Sequence, residues 1–199
     1  MTWTEKVSLY IAKRIQIEGA PHSLGQLAHG VEIFLLNVIH VLALVICSAV
    51  FHMFKEVMLL FTLFYLHRLF TGGVHMRSPW TCLLATLLLM LTGGVVLKHL
   101  PLLPAPFAQL VILLGYGFSF WVNVRHAPAK HTYVPTDPQI QRRSKLIVLC
   151  LILAGCVLSI ALVGYTYTLS MTFTLAVLLQ SVLLMPISFR FVSLLEKTF

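Results

Sequence analysis

Charged side chains are scarce in this chain. Only 10% of its 199 residues are Asp, Glu, Lys or Arg, whereas a soluble domain carries about 25%. Hydrophobic residues make up 59% of the sequence, and they are grouped in several long runs. This composition excludes an ordinary soluble domain and predicts a protein that crosses a membrane several times.

Acidic residues are rarer still. The chain has six Asp and Glu residues and 14 Lys and Arg residues, which gives a formal net charge of +8. In a soluble protein such an excess would suggest nucleic acid as the partner. Between apolar runs it indicates orientation in the membrane and contact with anionic lipid headgroups. We therefore expect anionic lipids, and no nucleic acid, as partners.

Several motifs of metal sites and hydrolases are missing. The nine histidines form no HxxH or HExxH pattern, no cysteine pair has CxxC spacing, and no Gly-x-Ser-x-Gly elbow occurs. The first eighteen residues contain charges throughout and no apolar core, so we do not expect a signal peptide. The sequence predicts neither a metal nor a cofactor.

An amphipathic segment precedes the apolar runs. Over residues 3–18, Trp3, Val7, Tyr10 and Ile15 recur at helical spacing. This pattern is typical of a helix lying in the membrane interface, and a short helix packed on the bundle fits it equally. Gly and Pro residues then predict a break that ends near residue 25.

Six apolar runs follow this break. They cover residues 31–51, 57–70, 79–96, 107–124, 146–165 and 171–189. The second run would span only about 21 Å, so it is either a thin span or a re-entrant helix. We expect an all-α membrane bundle of about six transmembrane helices, formed by residues 26–199 of a single domain whose residues 1–25 form the interfacial helix and break.

The distribution of basic residues predicts the orientation. With six spans and both termini in the cytoplasm, only Lys55 and Lys98 of the 14 Lys and Arg lie outside. The positive-inside rule favours this arrangement. It places residues 68–82 and a basic loop over residues 125–145 on the cytoplasmic face.

The stretch of residues 68–82, RLFTGGVHMRSPWTC, holds the densest chemistry of the chain. Gly72-Gly73 predicts the end of one helix, because such ends often need a left-handed residue. Ser78-Pro79 predicts the start of the next helix, with serine as N-cap and proline at the first helical position. The stretch therefore predicts a broken joint between two membrane helices.

This break decides whether His75 can reach Cys82. On one continuous helix the two residues would lie about 10.5 Å apart along the axis, too far for a hydrogen bond. The joint instead puts Cys82 in a first helical turn, where the thiolate is favoured, and His75 in the loop. Arg68 and Arg77 are candidates for binding a substrate carboxylate or a lipid phosphate. The alternative is that Cys82 only packs and His75 only contacts headgroups.

The same stretch carries a resemblance to a known family. The pattern R-x-x-T-G-G-x-H-x-x-x-x-x-x-C resembles the signature of the accessory gene regulator B (AgrB) family, and Ala127-Pro128 is similar to the dipeptide that opens the family's basic loop. The resemblance implies a membrane cysteine endopeptidase of Gram-positive bacteria, acting in quorum sensing. It makes His75 the general base and Cys82 the nucleophile. Its supporting active-site turn comprises Arg68, Gly72, Gly73, Arg77 and Ser78.

The resemblance also implies a substrate and a reaction. The substrate is the propeptide of a cyclic autoinducing peptide, with an amphipathic leader and an acidic tail. Attack by Cys82 releases the tail and leaves an acyl-thioester, which an internal Cys or Ser displaces to close a thiolactone or lactone ring. A homodimer is implied as well. Arg142, Arg143 and Lys145 are candidates for docking the acidic tail, although they fit a purely topological role too.

Other interpretations of the polar residues remain open. A non-enzymatic transporter or channel would use Glu32, His40 and Gln180 to line its path, and a membrane scaffold would use none of them. If His75 is a base, a third residue that orients it remains unidentified. The candidates are Glu32, Asn123, Asp137 and Gln180.

Overall fold

The computed structural model describes residues 3–16, 23–74, 76, 78–129 and 137–198, without the side chains of the last two. These residues form helices and connections and no strand, which confirms the predicted all-α bundle. The helices in chain order are α1 (Trp3–Ile15), α2 (Leu24–Val50), α3 (Phe54–Thr71), α4 (Pro79–Lys98), α5 (Ala105–His126), α6 (Pro138–Leu162), α7 (Tyr167–Leu184) and α8 (Pro186–Thr198).

Five helices are long and apolar enough to cross a membrane: α2, α4, α5, α6 and α7. The remaining predicted span, residues 57–70, corresponds to α3, a single continuous helix of 18 residues. It is about 27 Å long, but it carries Lys55, Glu56 and Arg68. Several of its residues are nevertheless buried in the bundle. Five spans are therefore supported, and a full crossing by α3 stays a prediction.

The helices α3, α4 and α5 run in alternating directions. At one end of the bundle, the Ala129 N–H after α5 donates to the Thr71 carbonyl at the end of α3, over 2.8 Å. At the other end, Nζ of Lys98 in the last turn of α4 donates to the carbonyl of His52, just before α3. Lys55 and Lys98 therefore lie at the end opposite to residues 68–82. The cytoplasmic placement of the latter stays a prediction.

The centre of the bundle is α7, whose buried face consists mostly of small and polar residues. Ser170, Thr174, Ala176 and Ser181 are buried there, against α3, α5 and α6. Small side chains allow helices in a membrane to approach closely. The polar ones bond within the helix or across it, as Ser181 Oγ does with the Val177 carbonyl.

α3 and α4 approach closely at Gly93-Gly94. A Cβ atom on Gly94 would lie 2.5 Å from Cγ2 of Val57, and one on Gly93 would meet Leu60 of the same helix. The two glycines are buried and face α3. They set the distance at which α4, and with it Cys82, packs against α3.

The N-terminal helix α1 is confirmed, ending three residues earlier than predicted. Thr4, Ser8 and Ala12 are buried at four-residue steps, and α1 packs along α2. Thr4 Oγ1 donates to a carboxylate oxygen of Glu32 over 2.9 Å. The large apolar side chains on other faces, Trp3 among them, stay exposed. Its place in the membrane interface stays a prediction.

Two predicted boundaries are wrong. The last apolar run is not one helix to residue 189, because α7 ends at Leu184 and Pro186 begins α8. Proline lacks the N–H that a continuing helix needs. The basic loop is also shorter than residues 125–145. Its first residues end α5, and the residues from Pro138 onward form the first turns of α6.

Candidate active site

The predicted joint between α3 and α4 is confirmed. α3 ends at Thr71, and Gly72 and Gly73 follow with φ angles of 67° and 145°. Glycine adopts such angles without a steric cost that other residues would meet. α4 then begins at Pro79, so residues 68–82 do not form one helix.

The start of α4 differs from the prediction in one respect. Ser78 takes the N-cap position with extended backbone, and Pro79 is the first helical residue, as expected. The Ser78 side chain, however, makes no capping hydrogen bond. Oγ1 of Thr81 instead donates to the Ser78 carbonyl over 2.9 Å. The backbone amides of Trp80 and Thr81 are thus left uncapped by Ser78, and amides of this kind bind anions.

Side chains from α3 and α7 hold the turn after α3. Nη2 of Arg68 donates to the Val74 carbonyl over 2.6 Å. Nε2 of Gln180 donates to the Gly72 carbonyl and to Thr71 Oγ1, each over 2.6 Å. The backbone N–H of Val74 donates to a further carbonyl in the last turns of α7. The backbone immediately before His75 is therefore fixed by hydrogen bonds.

Arg68 makes a contact within the turn. One nitrogen of its guanidinium donates to the Val74 carbonyl. The group also lies 5.8 Å from the ring centre of Phe64, a cation–π arrangement. Arg68 thus joins the end of α3 to the residues that lead to His75, and its predicted binding of a carboxylate or phosphate stays a prediction.

The segment after α5 completes the support of the turn. Ala129 donates its N–H to the Thr71 carbonyl, and its Cβ would lie 3.6 Å from a Cβ added to Gly72. Ala127-Pro128, whose pattern resembles the family, lies directly before this contact. The start of the basic segment therefore packs against the glycine turn.

Cys82 is the fourth residue of α4 and is half-buried. Its backbone N–H donates to the Ser78 carbonyl over 3.1 Å. The predicted position in the first turn is thereby confirmed. His75 and Arg77 lie outside the described residues, so the predicted pairing of His75 with Cys82 stays a prediction.

A different histidine lies near the start of α4. His40, on α2, lines a cavity together with Ser78, Pro79 and Leu83. Its Nδ1 lies 2.6 Å from the Leu36 carbonyl oxygen, one turn earlier. Its Nε2 is buried and has no hydrogen-bond partner among the described residues.

Sequence reasoning missed this arrangement because 38 positions separate His40 from Ser78. The available signal was general: an ionisable side chain inside a membrane span usually has a function. The sequence alone suggests for His40 only a place on a transport path.

The cavity beside His40 has a volume of about 420 Å³. It is mostly apolar and is lined by residues of α1, α2 and the start of α4. Among them, His40 faces Ser78, Pro79 and Leu83, which flank Cys82 in the sequence. The cavity is large enough for one or two amino-acid side chains.

The four candidates for orienting His75 have separate partners. Gln180 holds the glycine turn, as described above. Asn123 donates to Ser181 Oγ over 3.0 Å, Glu32 binds Thr4, and the Asp137 carboxylate caps α6 through the Gln139 N–H. Only Gln180 contacts the segment that leads to His75. The three residues of the transport alternative, Glu32, His40 and Gln180, likewise have different partners, and no observation favours a path through them.

The candidate docking residues lie on α6. Arg142 and Arg143 are exposed. Nζ of Lys145 is instead engaged, since it donates to the Val124 carbonyl over 2.6 Å. Lys145 therefore joins α6 to the end of α5, and the two arginines remain the better candidates for an acidic partner. Within the described part of the chain, no three His, Cys, Asp or Glu side chains are grouped as a metal site.

Comparison with known proteins identifies the family. The model of the accessory gene regulator B family matches residues 4–184. This chain belongs to the AgrB family. Membership gives the protein a role in processing a quorum-sensing peptide precursor, and the apolar helices make it a multi-pass membrane protein. No curated protein and no solved structure matches the chain.

Proposed function

We propose that this AgrB family protein is a cysteine endopeptidase that removes the carboxyl-terminal tail of a quorum-sensing propeptide and promotes closure of the remaining peptide into a ring. Cys82 is the nucleophile and His75 the general base. The observation that carries this proposal is the break between α3 and α4. The break puts Cys82 in the first turn of α4. It also means that no continuous helix keeps His75 apart from Cys82.

The surroundings of Cys82 favour its reactive form. The amino terminus of a helix carries about half a positive charge, and Cys82 lies in the first turns of α4. Arg68, in the last turn of α3, adds a positive charge at the same joint. Both effects stabilise a thiolate, which is the nucleophilic form. The amides of Trp80 and Thr81 are suited to stabilise the oxyanion that forms on attack.

The reaction has two acyl transfers. In the first, His75 takes the proton of Sγ, Sγ bonds to the scissile carbonyl carbon, the C–N bond breaks, and the amine takes that proton from His75 and leaves with the tail. In the second, a thiol or hydroxyl of the precursor attacks the thioester, His75 takes its proton, and Sγ is released. A thioester keeps its acyl-transfer reactivity, and a site shielded from water favours ring closure over hydrolysis.

The substrate is a propeptide with an amphipathic leader and an acidic tail. The leader lies on the membrane surface, beside anionic lipids, and the tail docks on Arg142 and Arg143. The exposure of both arginines supports this assignment. So does the hydrogen bond from Lys145 to Val124 at the end of α5, because the segment after α5 contacts the glycine turn. The enzyme is a homodimer of a Gram-positive cell membrane, with both termini and the site facing the cytoplasm.

Co-expression with the propeptide tests this function. Wild type is expected to release the tail, whereas Cys82→Ala and His75→Ala are expected to leave the propeptide intact at equal enzyme levels. Cys150→Ala is the matched control, because Cys150 is exposed on α6 and distant in sequence from the joint. Processing by Cys82→Ala at the wild-type rate would remove the proposed nucleophile.

A further inference from the structure

A cavity at the start of α4 has no role in the two acyl transfers. It lies between α1, α2 and α4, and its volume is about 420 Å³. Most of its lining is apolar, with Leu36 and Ile39 on α2 and Leu83 on α4. None of the described lining residues is Lys, Arg, Asp or Glu. The cavity is therefore suited to an uncharged, apolar group.

Helix geometry puts Cys82 at the edge of this cavity. Pro79 and Leu83 both line it, and residues four apart lie on the same face of a helix. Cys82 comes three residues after Pro79 on α4. Residues at this spacing are neighbours on the helix surface, with Cβ atoms about 5–6 Å apart. The thiol therefore lies beside the face of α4 that closes the cavity.

The covalent step decides which part of the propeptide can reach the cavity. Sγ of Cys82 bonds to the scissile carbonyl carbon, and the Cα atom attached directly to that carbon belongs to the residue on its amino side. This residue stays joined to Cys82 until the ring closes, whereas the tail departs in the first transfer. A cavity at the edge of Cys82 is thus placed to hold the last residue of the retained peptide.

The lining selects the chemistry of that residue. A buried charge without a partner is costly, and the described lining offers none. An aliphatic or aromatic side chain instead gains free energy when it leaves water. The volume is sufficient for a large side chain such as Leu, Met or Phe. An acidic tail is therefore directed away from this cavity.

His40 adds a polar atom to the same wall. Its Nδ1 lies 2.6 Å from the Leu36 carbonyl oxygen, which only accepts, so Nδ1 carries a proton. Nε2 of the neutral ring is then an acceptor, and it is buried without a hydrogen-bond partner among the described residues. Buried polar atoms are seldom left in this state. A backbone N–H of a peptide seated in the cavity would provide the donor.

The N-terminal helix α1 forms another wall. Trp3 and Thr4 line the cavity, and Thr4 Oγ1 donates to the Glu32 carboxylate over 2.9 Å. This hydrogen bond holds the first turn of α1 against α2. The cavity is thus bounded by helices that pack on each other, and its size is set by the side chains between them.

We propose that this cavity is the specificity pocket of the enzyme, and that it binds the side chain of the last residue retained in the cyclic peptide, a large aliphatic or aromatic one. Occupation of the pocket keeps the thioester in place on Cys82 while the internal nucleophile approaches. Leu36 and Leu83 determine the size of side chain that fits. This inference rests on the proposed function and deepens it.

A series of propeptides tests the size of the pocket. The residue before the scissile bond is varied as Ala, Leu, Phe, Trp and Asp, and kcat/KM for tail release is measured with the full-length enzyme in membrane vesicles. We expect wild type to favour Leu and Phe over Ala and Asp by about tenfold or more. Leu36→Phe narrows the pocket and should shift the preference toward Ala. Leu83→Ala enlarges it and should raise the processing of Trp.

The matched control is Leu42→Phe, at an exposed position of α2. This variant should keep the wild-type order of preference. An order that is the same in wild type, Leu36→Phe and Leu83→Ala would overturn the inference, as would a wild-type preference for Asp. Tail release would continue in either case, so the proposed function would stand. Failure of the proposed function would instead appear as tail release by Cys82→Ala.

A photo-crosslink tests occupation of the pocket without catalysis. A propeptide with a diazirine analogue of leucine before the scissile bond is irradiated with the full-length Cys82→Ala variant in vesicles, and the products are mapped by mass spectrometry. We expect crosslinks to residues 36–40 and 79–83, and fewer of them with Leu36→Phe added. Crosslinks confined to lipid or to α5, α6 and α7 would overturn the inference, because a lipid chain would then occupy the cavity or the peptide would bind elsewhere.

Discussion

Nε2 of Gln180 lies 2.6 Å from the carbonyl oxygen of Gly72, so the central helix α7 directly holds the turn that leads to His75. The same nitrogen donates to Thr71 Oγ1, and Gln180 is only 1% exposed. A buried residue of the central helix thereby fixes the backbone of the candidate active site. Helix packing and catalysis are coupled at this one amide.

Replacing Gln180 should affect the reaction more than the amount of folded protein. Gln180→Leu keeps the side-chain volume but removes the hydrogen-bond donor. The Gly72 carbonyl then loses this hydrogen bond, at a cost of about 1–3 kcal/mol. We expect the rate of propeptide cleavage to fall at least about tenfold, with enzyme still present in the membrane. The measurement is the initial cleavage rate normalised to enzyme level. Gln109→Leu, at an exposed position of α5, is the matched control, and equal rates for the two variants would contradict this role.

The second glycine of the turn should tolerate no side chain. Gly73 has φ of 145°, and a Cβ there would lie 3.0 Å from Nη1 of Arg68. Gly73→Ala is therefore expected to displace the guanidinium from the Val74 carbonyl and to abolish processing. Gly117→Ala on α5 meets no atom within 4 Å and should behave as wild type. Cleavage by Gly73→Ala at half the wild-type rate or more would show that the geometry of this turn is not required.

The contact between α3 and α4 should determine stability. Gly94→Ala places a methyl group 2.5 Å from Cγ2 of Val57, and overpacking of this kind costs about 1–3 kcal/mol. We expect a lower midpoint of thermal unfolding in detergent. Val57→Ala combined with Gly94→Ala should recover most of the loss, because it removes the opposing methyl groups. An unchanged midpoint in the single variant would mean that the helices separate freely.

The joint, the position of Cys82 and the helical fold were predictable because they depend on local chemistry. Gly72-Gly73 ends a helix and Ser78-Pro79 starts one through backbone preferences that act within a few residues. The long-range contacts were not predictable in this way. Nothing near His40 in the sequence points to the start of α4, and nothing near Gln180 points to Gly72, since both arrangements form only when the helices pack.

The basic residues of α6 should act on substrate binding and not on chemistry. Arg142→Gln together with Arg143→Gln removes two exposed charges that make no described contact with the turn. We expect KM for a propeptide with an acidic tail to rise several-fold while kcat is retained. The salt dependence of KM should weaken, because fewer charges remain for salt to screen. Lys55→Gln, at the opposite end, is the control. Unchanged KM and salt dependence would sink the docking assignment.

The most direct measurement is mass spectrometry of the enzyme after reaction with a propeptide whose internal nucleophile has been replaced by alanine. Ring closure is then blocked, so the proposed reaction predicts that the peptide without its tail accumulates on the enzyme. The adduct should map to Cys82, disappear on treatment with hydroxylamine, and be absent from Cys82→Ala. Tail release by wild type without any adduct on Cys82, or equal tail release by Cys82→Ala, would contradict covalent catalysis at the joint between α3 and α4.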